Sequence, residues 1–274
     1  LAISSNPELG MTLMRTMEDV PDREEQIGRI FSKWVKLDPE AALNWYQNEI
    51  ANGASDLGSS EILRFVIVAQ AVADPAAAID QIVTDLETRD PEKQHLWQAF
   101  TTAFYELENY QNFLPELRQA IDQDPSSEAL KKVADHFNSE LFQILITEKH
   151  DDAVRFIETH LNENETATLA DRIATRRSAE QGQWASWLSK QPDLKHFERC
   201  INGWTVTDYV SAGEWLSEFP AGEAKSLAVI AYAFQVAPID QNVAKQWADT
   251  LPDSERKDLL IHQIHKRAKA KALR

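Results

Sequence analysis

Few side chains in this chain of 274 residues have the type and spacing to do chemistry. Cys200 is the only thiol. A thiol becomes a nucleophile only where a base or a positive field lowers its pKa. His262 and His265 stand three apart with Asp258 one turn earlier, which is half of a metal site on a helix. No His-Glu-x-x-His pattern completes it. His150-Asp151-Asp152 starts like an acidic metal motif, but Arg155 follows where a further acid is needed. The Asp and Glu residues number 44, and any two carboxylates brought to about 5–9 Å would mimic a glycosidase pair. Each feature also has a structural explanation. A His or Asp at a helix start caps it and suits the helix dipole, and a histidine pair on an end helix is a polar face. The expectation is therefore no catalytic, cofactor-binding or metal-binding residue.

The elements that must position these groups are helices. Asn6-Pro7, Asp38-Pro39, Asp74-Pro75, Asp90-Pro91 and Asp124-Pro125 each put a capping side chain before a proline. The cap accepts a bond from an orphan N–H, and proline at the first helical position loses nothing. Pro21, Pro192, Pro220 and Pro252 follow the ends of other apolar stretches and fit a first turn. These marks predict sixteen helices, at about 6–17, 21–36, 39–51, 59–72, 75–88, 91–106, 109–122, 126–148, 150–161, 165–177, 179–190, 193–206, 208–218, 221–236, 239–249 and 252–272. Short polar connections predict antiparallel hairpins between neighbours.

The hairpins repeat. Trp34 and Trp45 flank Asp38-Pro39 at a spacing that Trp204 and Trp215 reproduce, and Trp187, Trp215 and Trp247 each stand five residues before a proline. First helices carry apolar stripes: Ile27, Ile30, Phe31, Trp34; Ile62, Phe65, Val66, Ala69; Leu130, Val133, Ala134, Phe137; Phe197, Cys200, Ile201, Trp204; Leu227, Ile230, Ala231, Phe234. Trp97, Phe100, Thr101 and Phe104 fit with one polar member. Cys200 shares its place with Ile30 and Ile230, which predicts a buried position. Second helices bring small residues such as Ala41, Ala42, Ala76, Ala77 and Ala78 for close approach, then a large one. A stripe on a short helix must be covered by its hairpin partner and by the next hairpin. Residues 105–175 follow the pattern least well.

Leu37-Asp-Pro-Glu-Ala-Ala-Leu-Asn-Trp-Tyr46 resembles the turn and second helix of a bacterial helical repeat of the tetratricopeptide-like superfamily, and His150-Asp-Asp-Ala-Val-Arg-Phe156 is a poorer copy. The tetratricopeptide glycine of the first helix and a strict 34-residue period are missing. The W…DP.AA..W pattern is closer to degenerate tandem repeats. The resemblance implies an all-α superhelix, a solenoid of seven to eight antiparallel hairpins over residues 1–274 as a single domain. It also implies a non-enzymatic scaffold that binds a protein or peptide on its concave face.

Composition agrees. Eight glycines are few for a sheet protein or a nucleotide-binding fold, which need glycine at positive φ. The formal charge is −16, although Lys266–Arg274 holds five basic groups and no acid, so the body is more acidic still. Such a body repels phosphate backbones, which argues against nucleic acid. One cysteine excludes an intramolecular disulfide framework. No apolar run is long enough for a transmembrane helix. The chain begins at Leu1, so a preceding segment is expected to have been removed or never cloned, and the expectation leans to the bacterial periplasm or another extracytoplasmic location, with the cytoplasm as the alternative. Tyr46, Tyr105, Tyr110, Tyr209 and Tyr232 are candidate binding aromatics where they escape the core. Met11, Met14 and Met17 form a stripe expected to meet a neighbour that covers the first helix. The basic end is expected to be solvated and partly frayed. The alternative function is the helical accessory region of a carbohydrate- or cell-wall-processing enzyme, or that enzyme itself, with carboxylates and tryptophans doing the work.

Overall fold

A computed structural model describes residues 6–17, 23–54, 57, 60–87, 107–176 and 180–272. They form fifteen α-helices and no strand among the described residues. The helices are α1 Pro7–Thr16, α2 Arg23–Leu37, α3 Pro39–Ala51, α4 Ser60–Ala73, α5 Pro75–Glu87, α6 Leu107–Gln123, α7 Glu128–Leu145, α8 His150–His160, α9 Glu163–Thr175, α10 Gln181–Leu188, α11 Lys195–Thr207, α12 Tyr209–Glu218, α13 Glu223–Val236, α14 Gln241–Asp249 and α15 Glu255–Ala272. The helix expected at 91–106, with Trp97 and its stripe, lies outside the described residues, as do Asp90-Pro91 and Pro21.

One hydrogen-bonded junction recurs at Asp38, Asp74, Asp208 and Asp240. The aspartate N–H donates to the carbonyl four residues back: Trp34 at 2.8 Å, Gln70 at 2.6 Å, Trp204 at 2.8 Å and Val236 at 2.9 Å. Its carbonyl accepts from the N–H four residues on: Ala42, Ala78 and Ala212 at 3.1 Å and Ala244 at 3.0 Å. Its carboxylate accepts from the N–H three residues on: Ala41 at 3.0 Å, Ala77 at 3.1 Å, Ser211 at 3.0 Å and Val243 at 3.0 Å. In three copies the aspartate is the only residue between the two helices. The alanine at the fourth position is buried in all four, because only a methyl group lets the second helix approach the first so closely. Asn6 opens α1 in the same way, with buried Gly10 in the alanine's place. Asn6, Asp38 and Asp74 are 32 and 36 residues apart, and Asp208 and Asp240 are 32 apart.

Four prolines in this scheme differ from expectation. Asp124-Pro125 starts no helix. Asp124 accepts instead from the N–H and hydroxyl of Ser126, at 3.2 and 2.8 Å, and Ser127 caps α7 through the N–H of Leu130. Ser127 wins because it stands one residue ahead of the first helical position, where its hydroxyl reaches an orphan N–H. Pro192, Pro220 and Pro252 lie three residues ahead of α11, α13 and α15 rather than in their first turns. In the last two connections a lysine closes the preceding helix. Lys225 Nζ donates to Phe219 O at 2.6 Å and Ser217 O at 3.4 Å, and Lys257 Nζ to Leu251 O at 3.0 Å and Asp249 O at 3.5 Å. Both lysines are the third residue of their helix, and both satisfy C-terminal carbonyls that have no partner in their own helix. After α3, Gly53 takes φ +89° and its N–H donates to Ile50 O at 2.9 Å, the left-handed closure that glycine allows.

The chain divides into two compact units, Leu1–Thr147 and Glu148–Arg274. In the first, α1 packs on α2, α2 on α3 and α4, α4 on α3 and α5, and α5, α6 and α7 pack on one another. Met11, Met14, Ile27, Phe31, Trp34 and Ile62 share one core. Met11 and Met14 thus find their neighbour in α2 within this chain, and Met17 is exposed. Further along, Phe113 stacks on Phe137 at 4.1 Å and Tyr110 leans on it at 5.0 Å. In the second unit α9, α11, α13 and α15 pack each on the next, and α10, α12 and α14 each pack on the helices before and after them. Trp215 shows how this is done. It meets Trp204 at 5.6 Å and Phe219 at 4.5 Å, and its Nε1 donates to Ser186 Oγ of α10 at 3.3 Å. The basic end is partly anchored: Arg267 lies 3.9 Å over the Phe234 ring and donates to Phe234 O at 3.0 Å.

Candidate functional site

Among the described residues no three of His, Cys, Asp and Glu are grouped to hold a metal ion. His262 and His265 are exposed, and His265 Nδ1 is 2.8 Å from Ile261 O, so that nitrogen carries the proton. His150 opens α8 and packs edge-on to Trp184 at 4.9 Å. Asp151 stands 3.5 Å from its Nδ1, and Asp152 turns to Arg155 at 3.3 Å. None of the three caps α8 as expected, because its N-cap is Lys149 and no side chain bonds there; Asp151 and Asp152 sit in the first turn, where negative charge suits the dipole, and their carboxylates diverge.

Cys200 is fully buried, and Gln181 Nε2 donates to its Sγ at 3.1 Å. Burial pushes the thiol up to about 11, against a smaller lowering by the Gln181 bond, which is the opposite of activation. His196 and Arg199, on the same helix, both reach Asp171 of α9. Of the candidate tyrosines, Tyr110 and Tyr232 are buried, Tyr46 and Tyr209 are half-buried, and Tyr105 lies outside the described residues. Tyr232 donates its hydroxyl to Tyr209 O at 3.0 Å, and burial raises its pKa.

A groove of about 520 Å³ lies on the first unit. Met14, Ile30 and Leu37 supply its apolar surface, and Arg29, Lys33 and Lys36 its charge. Gln26, Arg29, Ile30, Lys33 and Leu37 recur at three and four residues along α2, so one helical face builds the wall. Leu37 is 70% exposed. Arg29 pairs with Glu25, whereas Lys33 and Lys36 have no ion-pair partner among the described residues. Two unpaired ammonium groups beside exposed leucine, in a chain of charge −16, make this a cationic, apolar surface on an acidic protein. From the sequence, Ile30 counts simply as a core position. The signal that marks it otherwise is the run of bases Arg29, Lys33 and Lys36 on the helix that carries the stripe.

No helix among the described residues is long and apolar enough to cross a membrane. Compared with family models, with curated proteins and with solved structures, the chain finds no match.

Proposed function

We propose that each unit is a short stack of tetratricopeptide-like hairpins, and that the protein is a non-enzymatic scaffold that holds a protein or peptide partner. The observation that carries this reading is the recurrent aspartate junction with its buried alanine at Ala42, Ala78, Ala212 and Ala244. A repeated junction gives each hairpin the same internal turn, and stacks of similar hairpins expose long rows of side chains to a partner. The succession α9, α11, α13, α15 supports the same picture within the second unit. Cys200 belongs to the core, and Asp38, Asp208 and Asp240 serve as caps.

The test is affinity purification of the tagged protein from its native lysate, followed by hydrogen exchange on the complex. The expected result is a specific partner that protects residues along the first helices of a unit. Failure to recover any specific partner overturns the reading.

A further inference from the structure

Superposing the junctions places α2 and α11 in register: Trp34 on Trp204, Ile30 on Cys200, Arg29 on Arg199 and Gln26 on His196. In α11 this face is covered. Cys200 is fully buried and bonded to Gln181 of α10, and Arg199 and His196 both reach Asp171 of α9. The junctions put Val66 of α4 and Tyr232 of α13 at Ile30's place, which corrects the sequence alignment that put Ile230 there, and both are buried. Ile30 alone of the four remains partly exposed, and it lines the groove with Arg29 at the place of Arg199.

We propose that the α1–α2 groove binds an acidic amphipathic helix from a partner, seated as α9 is seated on α11. The proposal rests on the repeat-scaffold reading above and names the class of partner. Three features define the occupant. An apolar stripe covers Met14, Ile30 and Leu37. A carboxylate reaches Arg29 as Asp171 reaches Arg199. Further acids face Lys33 and Lys36, whose ammonium groups have no ion-pair partner among the described residues. The α2 face from Gln26 to Leu37 is about three turns long, which matches a helix of roughly eleven residues. Helix-in-groove recognition of this kind uses anchors at three- and four-residue spacing, and the lysines select acidic sequences over basic ones.

The experiment uses the full chain and a fluorescein-labelled peptide of Asn162–Arg176, which keeps its capping box, with Arg172→Glu and Arg176→Glu to make it acidic throughout. Anisotropy at low salt is expected to show saturable one-to-one binding. The double variant Lys33→Glu/Lys36→Glu is expected to weaken binding at least tenfold, while Lys190→Glu, an exposed lysine of the other unit, leaves it unchanged. Replacing Asp171 by Asn in the peptide, and raising the salt about tenfold, both weaken binding if carboxylate–cation pairing is involved. All lysine variants are at exposed positions, and unchanged circular dichroism establishes that they fold. Absence of saturable binding, or equal affinity for the double variant, overturns the proposal. So does a concentration-dependent dimer of the free protein that the double variant abolishes, since a second copy then fills the groove. A partner that is recovered from lysate equally well by wild type and double variant leaves the scaffold reading standing and removes only the groove.

Discussion

The rings of Trp204 and Trp215 meet at 5.6 Å and 52°, and those of Trp34 and Trp45 meet at 5.6 Å and 48°. The two pairs belong to different units, yet the backbone between them is the same: Asp38 has φ −156° and ψ 85°, Asp208 φ −150° and ψ 78°. A single extended residue turns the chain, and the indoles close the seam on either side of it. This is a packing device, repeated, and it accounts for the eleven-residue spacing of the tryptophans.

Trp34 is 6% exposed and is held between Phe31 and Trp45. Trp34→Ala is expected to cost about 3–5 kcal/mol, and Trp45→Ala, which removes a half-buried ring, less. A double-mutant cycle on the pair should show coupling of about 0.5–1.5 kcal/mol. Urea unfolding followed by circular dichroism measures both. Unchanged stability together with lost partner binding would make the pair a recognition surface instead.

Two helical glycines should respond with opposite signs. A Cβ on Gly213 would lie 2.5 Å from Tyr232 Oη and 3.1 Å from its Cζ. That ring is buried and tied to Tyr209 O, so it cannot yield. Gly213→Ala is expected to destabilise by about 1–3 kcal/mol. A Cβ on Gly203 meets nothing within 4 Å, and Gly203→Ala should stabilise by roughly 0.5–1 kcal/mol. Melting temperatures of the two variants decide it: a rise for Gly213→Ala contradicts the packing at Tyr232, and a fall for Gly203→Ala contradicts the open space there.

The Cys200 thiol, buried and raised to about 11, should not react with Ellman's reagent at mildly alkaline pH in the native protein. One equivalent should react after denaturation in guanidinium. Rapid native labelling would mean that α10 and α11 open locally far more often than their packing implies.

His136 on α7 has its pKa lowered, mainly by desolvation and against an opposing pull from Glu140 one turn on. The unfolded chain therefore takes up the proton more readily than the folded one. The associated stability is complete above the unfolded pKa of about 6.5 and is lost as pH falls through the folded value. His136→Asn cannot titrate. The melting temperature of the wild type relative to this variant should drop as pH is lowered from about 8 to about 5. A difference that stays constant with pH refutes the desolvation.

The residues that determine each helix lie within four positions of one another, and there the sequence alone was sufficient. Asn6, Asp38 and Asp74 cap as their place before proline predicts, whereas Asp208 and Asp240 cap with no proline to mark them, and the stripes of α2, α4 and α11 place Phe31, Ile62 and Phe197 in the core. Local competition was harder to foresee: Ser127 displaces Asp124 as a cap, and Pro192, Pro220 and Pro252 stand three residues ahead of their helices, the last two in connections that Lys225 and Lys257 close. Tertiary structure alone decided which copies of the stripe are covered. Ile30 and Cys200 hold the same place in the same motif, and periodicity cannot tell them apart. Cys200 is buried because α9 and α10 pack around α11, whereas Ile30 stays partly open in a groove with Arg29, Lys33 and Lys36. Capping is a bond between near neighbours in the chain, and burial is set by other helices outside the motif, which is why the first is written in the motif and the second is not.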